Sequence, residues 1–364
     1  MKLTFLGPLY ARPGPYACAY LDTSRDVEEP DSAIDRRRRH VHEELAAQGA
    51  DVASTGTVAR VLGADEDIPG RHGQAVFAAR GHLALVEELP HPPERETATF
   101  TTVPDAMPLA RQHAPDIPYV AVAVHRAHDP EDVPVDVWEI GVQSGRWPVA
   151  RLAPGPVDRR TVPYDQWPRA AAEVAAGLAA AADGGEAETI VLCGPPRMTT
   201  ALAGRLPRRL SGRVTRVAKD ADRAEEWPEP PGRAILEADL ARVFDGRLAA
   251  LDQQRLERFR SCRARGEGCV DGLADTLDAL RRGEVEALFV TDPPEPRPPL
   301  YVGVTPRQVG LSAEEVFAQG VDSCWQESAP DAALIRVAVG TGADLVVVAR
   351  NRLALADGVG ALLR

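Results

Sequence analysis

The sequence predicts an α/β protein, α+β overall, that is built from three consecutive blocks. Residues 119–124 form a continuous apolar run of the length of a buried strand. Residues 167–178 place apolar side chains at the spacing of one helix face. Further strands and helices alternate along the chain, and this alternation indicates domains in which helices pack on sheets. An acidic, proline-rich stretch at residues 220–231 is typical of a linker.

These changes along the chain predict three domains and one linker. An N-terminal α+β domain covers residues 1–115. A middle α/β domain covers residues 116–218 and is followed by the linker at residues 219–231. Residues 232–364 complete the chain as a second, smaller α/β sandwich, because their helical patterns again alternate with short apolar strands.

The composition indicates a globular protein and excludes several classes. Hydrophobic residues make up 44% of the chain and charged residues 26%. The net charge of -12 opposes general binding to nucleic acid or to an anionic membrane, while a local basic site stays compatible with it. There is no apolar run of about 18 residues that would span a membrane. Pro8 interrupts the N-terminal apolar stretch, so we do not expect a secretory signal.

Cysteine and histidine patterns predict no metal site and no cofactor. The five cysteines are scattered and never form Cys-x-x-Cys, so neither a disulfide framework nor a zinc ribbon is expected. The histidines show no metal-binding spacing, and phosphate-binding or dinucleotide-binding glycine motifs are missing from the sequence. We therefore expect a cytoplasmic protein with reduced thiols, no membrane partner and no small-molecule substrate.

The segment 143–163 of the middle domain is the strongest candidate site. It is predicted as a loop of about 20 residues, and loops of this length in a compact domain are usually functional or disordered. Its candidate RNA-binding residues are Arg146, Trp147, Arg151, Arg159 and Arg160. Arginine pairs with phosphate through two parallel hydrogen bonds, and aromatic rings stack on unpaired bases. The alternative is a solvated, arginine-rich loop whose tryptophan folds onto the core, and the sequence leaves both open.

Four segments, one or more in each block, resemble the archaeo-eukaryotic release factor and Pelota superfamily in its bacterial, mycobacterial-type and Balon-like branch. The segments are YACAYLDTSR at 16–25, PYVAVAVHRA at 118–127, CVDGLADTLDALRRGEVEALFV at 269–290 and the tail at 341–364. The resemblance implies a three-domain architecture. Its parts would be a divergent N-terminal domain, a ribonuclease-H-like middle domain and a C-terminal sandwich similar to kink-turn-binding ribosomal proteins.

The resemblance also implies where the chemistry of a release factor would lie. In such factors the catalytic loop lies in the middle domain, between a strand and a long helix, and carries Gly-Gly-Gln. We assign that place to residues 143–163, where Ser144 and Gly145 supply loop backbone and no Gly-Gly-Gln occurs. The resemblance then implies a protein shaped like a release factor that has no catalytic residues and occupies the ribosomal A site without cleaving the ester.

A second glycine-rich segment, from Gly70 to Gln74, is similar to the Gly-Gly-Gln loop at first sight. Its sequence is Gly-Arg-His-Gly-Gln, with His72 in the middle, and it lies in the first block. It also leads directly into a predicted hairpin with strands 75–79 and 82–86. We therefore interpret Gly73 as a structural residue of a turn or bulge.

Three functions follow as hypotheses. The favoured one is a non-catalytic ribosome-associated factor of stress or hibernation, which contacts ribosomal RNA through the loop and an elongation-factor GTPase through its C-terminal domain. The second is a peptidyl-tRNA hydrolase or a peptide chain release or rescue factor, in which backbone amides of residues 143–147 position water. The third is an adaptor that binds a protein and never the ribosome; salt-dependent RNA binding separates it from the first.

Overall fold

Helices and sheets alternate through the computed structural model, which confirms the predicted fold class. The structure describes residues 1–68, 70–127, 137–152, 158–184, 187–219, 236–327 and 329–364. The helices are α1 Gly7–Tyr10, α2 Pro30–Ala47, α3 Val52–Val61, α4 Met107–His113, α5 Trp167–Asp183, α6 Pro196–Ala203, α7 Glu237–Phe244, α8 Ala250–Arg265, α9 Leu273–Arg282, α10 Ala313–Phe317 and α11 Pro330–Thr341.

Sixteen strands are present in the described residues and form four sheets. They are β1 Tyr16–Asp22, β2 Gly73–Ala79, β3 His82–Leu89, β4 Thr97–Thr101, β5 Ile117–Arg126, β6 Val137–Trp147, β7 Asp158–Pro163, β8 Thr189–Gly194, β9 Val214–Ala218, β10 Cys269–Asp271, β11 Val285–Asp292, β12 Leu300–Val302, β13 Val309–Gly310, β14 Trp325–Glu327, β15 Asp344–Ala349 and β16 Val359–Leu363. In the described part of the chain, no helix is both long and apolar enough to cross a membrane.

The chain divides into two compact units rather than into the three predicted domains. One unit combines residues 1–66, 70–115 and 251–364, and the other consists of residues 67–69 and 116–250. One division between the units lies after residue 115, and the predicted domain boundaries stay a prediction. The first and third blocks, however, share one hydrophobic core, and the middle unit continues to residue 250. The predicted linker 219–231 lies outside the described residues except for Lys219.

Alternation along β1 explains why the first unit has two cores. The strand lies inside an antiparallel sheet of order β3-β2-β1-β4, and its side chains point to opposite faces in turn. Ala17, Ala19 and Leu21 pack against α2 and α3. Tyr16 and Tyr20 belong to the other core, which also contains buried residues of the C-terminal helices α9 and α11.

The C-terminal part of the first unit is built on a sheet of order β10-β16-β11-β15, in which only β11 and β15 are parallel. Helices α9 and α11 contribute Leu277, Leu280 and Leu334 to the shared core. Helix α8 packs Phe259 against Phe289 of β11, with ring centroids 4.9 Å apart. A smaller antiparallel sheet of order β13-β12-β14 completes this part.

Asp105, in the first unit, is expected to make stability depend on pH. Its carboxylate accepts a hydrogen bond from the Met107 amide at 3.0 Å, yet burial and the nearby Asp331 and Glu327 raise its pKa to about 6. The folded state therefore holds this proton more tightly than the unfolded chain, whose aspartate has a pKa of about 3.9. The stabilisation is complete below about pH 4 and is lost as the pH rises towards about 6.

Asp105→Asn should remove this dependence. The variant keeps an acceptor for the Met107 amide and is expected to exceed the parent in stability at pH 7 by on the order of 2 kcal/mol. The difference should shrink below about pH 4. Urea denaturation between pH 4 and pH 7 measures it, with Asp35→Asn on exposed α2 as the control. Parallel pH profiles for parent and Asp105→Asn would contradict the assignment.

The sheet of the middle unit has helices on both faces. Its order is β7-β6-β5-β8-β9: the first three strands are antiparallel neighbours, and β5, β8 and β9 run parallel. The ribonuclease-H-like domain that the resemblance implies stays a prediction for this unit. Val120, Val122 and Val124 of β5 face α5 and α6, whereas Tyr119 and Ala121 face α7. Burial on both faces explains why residues 119–124 are uniformly apolar.

The prediction that residues 143–163 form a loop is wrong over most of that segment. Strand β6 continues to Trp147, and β7 begins at Asp158. Every residue of β6 from Val142 to Trp147 pairs with β5, up to Trp147 opposite Ile117. A single turn of 3-10 helix, Val149–Arg151, follows, and residues 153–157 lie outside the described residues. The polar end of β6 lacks a strand-like apolar pattern because β5, not local hydrophobicity, holds it in place.

Candidate functional site

The five predicted RNA-binding residues do not form one cluster. Trp147 lies opposite Ile117 at one end of β6, whereas Arg160 on β7 lies opposite Ile140. Seven residues of strand separate Ile140 from Trp147, which corresponds to about 23 Å. Arg146, Trp147 and Arg151 therefore lie at one end of the sheet, and the two β7 arginines lie towards the other.

Trp147 is a core residue of the middle unit. It is 7% exposed, and its ring stacks on Phe244 of α7 with centroids 5.6 Å apart and planes at 27°. Tyr119 and Leu240 belong to the same core. The Arg151 guanidinium lies 5.8 Å from the centroid of the Trp147 ring. The ring therefore serves packing within this protein, as in the alternative that the sequence left open.

Arg146 and Arg151 pair with carboxylates of their own unit. The Arg146 guanidinium donates from Nη2 to Asp116 Oδ2 at 2.8 Å and from Nε to Oδ1 at 2.5 Å, and these hydrogen bonds raise the pKa of Arg146. Arg151 donates from Nε to Glu237 Oε1 at 2.9 Å and is only 14% exposed. Binding RNA phosphate would require each guanidinium to leave a partner that already neutralises it. Their RNA-binding role stays a prediction.

Ser144 and Gly145 belong to a strand rather than to loop backbone. They lie opposite Val120 and Tyr119 of β5, so alternate amides of this stretch are committed to the antiparallel ladder. A Cβ on Gly145 would lie 2.5 Å from the Cβ of Ala150. Glycine is needed here because the turn after β6 packs directly on the strand, which is a structural reason for the residue.

Arg160 lies beside α5 and shares a carboxylate with a second arginine. Its Nη1 is 3.3 Å from Glu173 Oε2, and Arg169 Nε is 3.2 Å from Glu173 Oε1. The Arg169 side chain is 87% exposed, and Arg159 is also exposed on the edge strand β7. Since two guanidiniums share one carboxylate, the group formed by Arg160, Arg169 and Glu173 has one excess positive charge.

The connection from β7 to α5 is the place where a strand leads into the long helix of this unit. It consists of one 3-10 turn, Tyr164–Gln166, before the 17-residue helix α5. All three residues are exposed, Tyr164 by 53%. The Tyr164 ring lies 6.0 Å from Trp138 at the start of β6, so this turn is at the end of the sheet opposite Trp147. The sequence did not indicate this turn, because the strand-to-helix connection was predicted at residues 143–163.

A match to a known family covers the middle unit and α8. Residues 118–265 match the bacterial archaeo-eukaryotic release factor family 2. This part of the chain is therefore similar to that family. The match supports the resemblance seen in the sequence, while its mycobacterial-type branch stays a prediction.

Sequence similarity to a mycobacterial protein covers nearly the whole length of this chain. The uncharacterized protein Rv2629 of Mycobacterium tuberculosis is 27% identical over 377 residues, which cover 98% of this chain and 95% of that protein. Among solved structures, Pelota of Archaeoglobus fulgidus has 14% identity and a TM-score of 0.33, with 80% of this chain and 79% of that chain covered. Dom34 of S. cerevisiae, a translation termination-like factor, has 9% identity and a TM-score of 0.36, with 80% of each chain covered.

The strand-to-helix connection between β7 and α5 lacks the glycines of the Gly-Gly-Gln motif. The turn Tyr164–Gln166 contains no glycine, and none of its residues has a positive φ. Gly-Gly-Gln occurs nowhere in the sequence. The glycines of that motif permit backbone angles that other residues rarely adopt, so this turn does not offer the corresponding backbone.

Proposed function

We propose that the chain is a ribosome-associated translation factor that enters the ribosomal A site without cleaving the peptidyl-tRNA ester. The observation that carries the proposal is the family match over residues 118–265 combined with the glycine-free turn Tyr164–Gln166 between β7 and α5. A stress or hibernation setting fits a factor that occupies the site and performs no hydrolysis. An elongation-factor GTPase is the candidate protein partner.

The proposal places ribosomal RNA at the β7–α5 end of the sheet. Arg159 and Arg160 on β7 and Arg169 in the first turn of α5 lie near the exposed turn. The Arg169 side chain is 87% exposed, and exposed ion pairs such as Arg169–Glu173 contribute little stability. Its guanidinium can therefore exchange Glu173 for a phosphate oxygen at low cost.

Co-sedimentation of the full chain with ribosomes at increasing salt tests the binding. The parent should bind, with an affinity that falls as salt increases, because phosphate contacts release counterions. Arg169→Glu should weaken binding about tenfold or more and reduce the salt dependence. Arg146→Glu is the matched control, since it alters an exposed, paired arginine at the opposite end of the sheet. Absence from ribosomes at every salt concentration would favour the adaptor hypothesis and contradict ours.

Stalled complexes that carry labelled peptidyl-tRNA test the absence of hydrolysis. We expect the protein to bind them without releasing peptide above background. Release that is lost in Gln166→Ala, a change in the exposed turn, would instead establish a peptidyl-tRNA hydrolase or release factor. Binding and hydrolysis are read separately, so the two parts of the proposal fail independently.

A further inference from the structure

The Gly70–Gln74 segment, which the proposed function does not use, brings three potential metal ligands together in the first unit. Asp65 lies in the connection from α3 to β2, His72 directly precedes β2, and Glu88 lies near the end of β3. One ligand atom from each residue lies within 4.8 Å of the other two. In the described part of the chain, no other group of three or more His, Cys, Asp or Glu side chains meets this criterion.

The imidazole of His72 presents a lone pair to this cluster. The His72 side chain is 0% exposed and that of Asp65 is 2% exposed. Nδ1 of His72 lies 3.0 Å from the carbonyl oxygen of Gly70, which can only accept, so Nδ1 carries the hydrogen. In the neutral ring Nε2 then has a lone pair, and it faces Asp65 Oδ2 at 2.7 Å. Two electron pairs at this distance require a cation between them, either a proton or a metal ion.

The carboxylates add two further unsatisfied oxygens. Asp65 Oδ1 and Glu88 Oε2 are buried and have no hydrogen-bond donor among the described residues. The other oxygens are held: Thr23 donates to Asp65 Oδ2 at 2.8 Å, and Gln74 donates to Glu88 Oε1 at 2.8 Å. Buried polar oxygens without a partner are uncommon and indicate that a water or an ion binds there.

Besides His72, which pairs with Asp65, no basic side chain among the described residues balances the two carboxylates. Within the described residues, neither Asp65 nor Glu88 forms an ion pair with an arginine or lysine. Burial raises the pKa of Glu88 to about 8, and the charge of Asp65 and a hydrogen bond between the two carboxyl groups act in the same direction.

The surrounding residues orient the ligands as outer-sphere partners of a metal commonly do. The Gly70 carbonyl fixes the His72 ring, and the Gly63 amide donates to Gln74 Oε1 at 3.0 Å, which directs the Gln74 amino group to Glu88. Gly70 has φ +78, and a Cβ on Gly73 would lie 2.9 Å from the carbonyl oxygen of Leu21. The two glycines therefore allow the backbone to place the His72 side chain in a buried position directly before β2.

We propose that Asp65, His72 and Glu88 bind a divalent transition-metal ion of the Zn²⁺ class, which ties the α3–β2 connection to the β2–β3 hairpin. One nitrogen and two carboxylate ligands suit Zn²⁺ or Mn²⁺, whereas Ca²⁺ and Mg²⁺ prefer oxygen alone. Ligand atoms around tetrahedral Zn²⁺ lie roughly 3.4 Å apart. The pair His72 Nε2 and Asp65 Oδ2, now 2.7 Å apart, would separate by less than about 1 Å.

Zinc loading of the untagged full chain tests the proposal. The protein is stripped with a chelator, incubated with ZnCl₂ and desalted; bound metal is counted by elemental analysis, and the melting temperature is measured with and without Zn²⁺. We expect one zinc ion per chain and a higher melting temperature with the metal. Co²⁺ loading should give the visible absorption of a low-coordinate site.

Two variants separate a metal from a shared proton. Glu88→Gln supplies a donor to Asp65 Oδ1, so the metal-free protein should be at least as stable as the parent, while zinc affinity falls more than about 100-fold. His72→Asn keeps a donor for the Gly70 carbonyl and should also lose zinc. His40→Asn, on exposed α2, is the control and should bind zinc like the parent. No stoichiometric zinc in the parent, or equal zinc in the parent, Glu88→Gln and His72→Asn, would overturn the proposal in favour of a proton-linked cluster.

Discussion

Replacing Trp147 by alanine is expected to destabilise the middle unit by about 3–5 kcal/mol. The side chain is 7% exposed and stacks on Phe244, so the substitution removes a large apolar surface and leaves a cavity between β6 and α7. It also removes the ring beneath the Arg151 guanidinium. A tryptophan that extends towards RNA would behave differently, because its truncation would lower RNA affinity and leave stability nearly unchanged.

Urea denaturation of the full chain, followed by circular dichroism, measures this effect. Trp147→Phe keeps an aromatic ring against Phe244 and should lose less than half as much stability. Arg146→Ala is the neighbouring control, since it removes an exposed ion pair worth about 1 kcal/mol or less. Ribosome binding of Trp147→Ala, measured where the variant is still folded, should equal that of the parent. Lost binding with intact stability would restore the prediction that Trp147 stacks on a base.

Replacing Arg255 by alanine is expected to destabilise the first unit by about 3–5 kcal/mol. Arg255 lies on α8 and is 6% exposed. Its guanidinium contacts Asp252 at 3.0 Å, Glu286 at 3.2 Å and Asp344 at 2.6 Å. Removal of Arg255 leaves Asp344 without its cation, while Asp252 keeps the N-terminal ammonium and Glu286 keeps Arg258. The loss of one partner from a buried pair is far more damaging than the loss of an exposed one.

Arg258 provides a matched control three positions further along α8. It pairs with the same Glu286 at 2.9 Å, but its side chain is 54% exposed. Arg258→Ala should therefore lower the free energy of unfolding by less than about 1 kcal/mol. Arg255→Lys keeps the charge but not the planar guanidinium. Its loss of free energy of unfolding should lie between those of Arg255→Ala and Arg258→Ala. Equal losses of unfolding free energy in Arg255→Ala and Arg258→Ala would show that the burial of the Arg255 guanidinium does not increase its effect on stability.

The elements with strong apolar periodicity were predictable from the sequence. The hairpin predicted at 75–79 and 82–86 is present as β2 and β3, and the run 119–124 is the centre of β5. The helix face from Trp167 to Leu178 is buried in α5. Each of these elements packs against a core. Its buried positions therefore require apolar residues at the period of a helix or a strand, and this period is visible in the sequence.

The polar end of β6 was not predictable in the same way. Residues 143–147 read Gln-Ser-Gly-Arg-Trp, which has no alternation of apolar and polar residues, and pairing with the neighbouring strand β5 makes this stretch regular. The partners of its arginines come from distant positions, Asp116 for Arg146 and Glu237 for Arg151. A spacing rule along the chain cannot show that such charges meet.

The sequence by itself indicated the resemblance to a release factor family, the alternating α/β elements and the lack of Gly-Gly-Gln, because each is a local pattern of residues. Tertiary structure alone decided that Trp147 is a core residue, that the β7–α5 turn is the exposed strand-to-helix connection, and that Asp65, His72 and Glu88 meet. The reason is physical: strand pairing and helix packing bring together residues far apart in sequence, and burial then determines which charges need a partner.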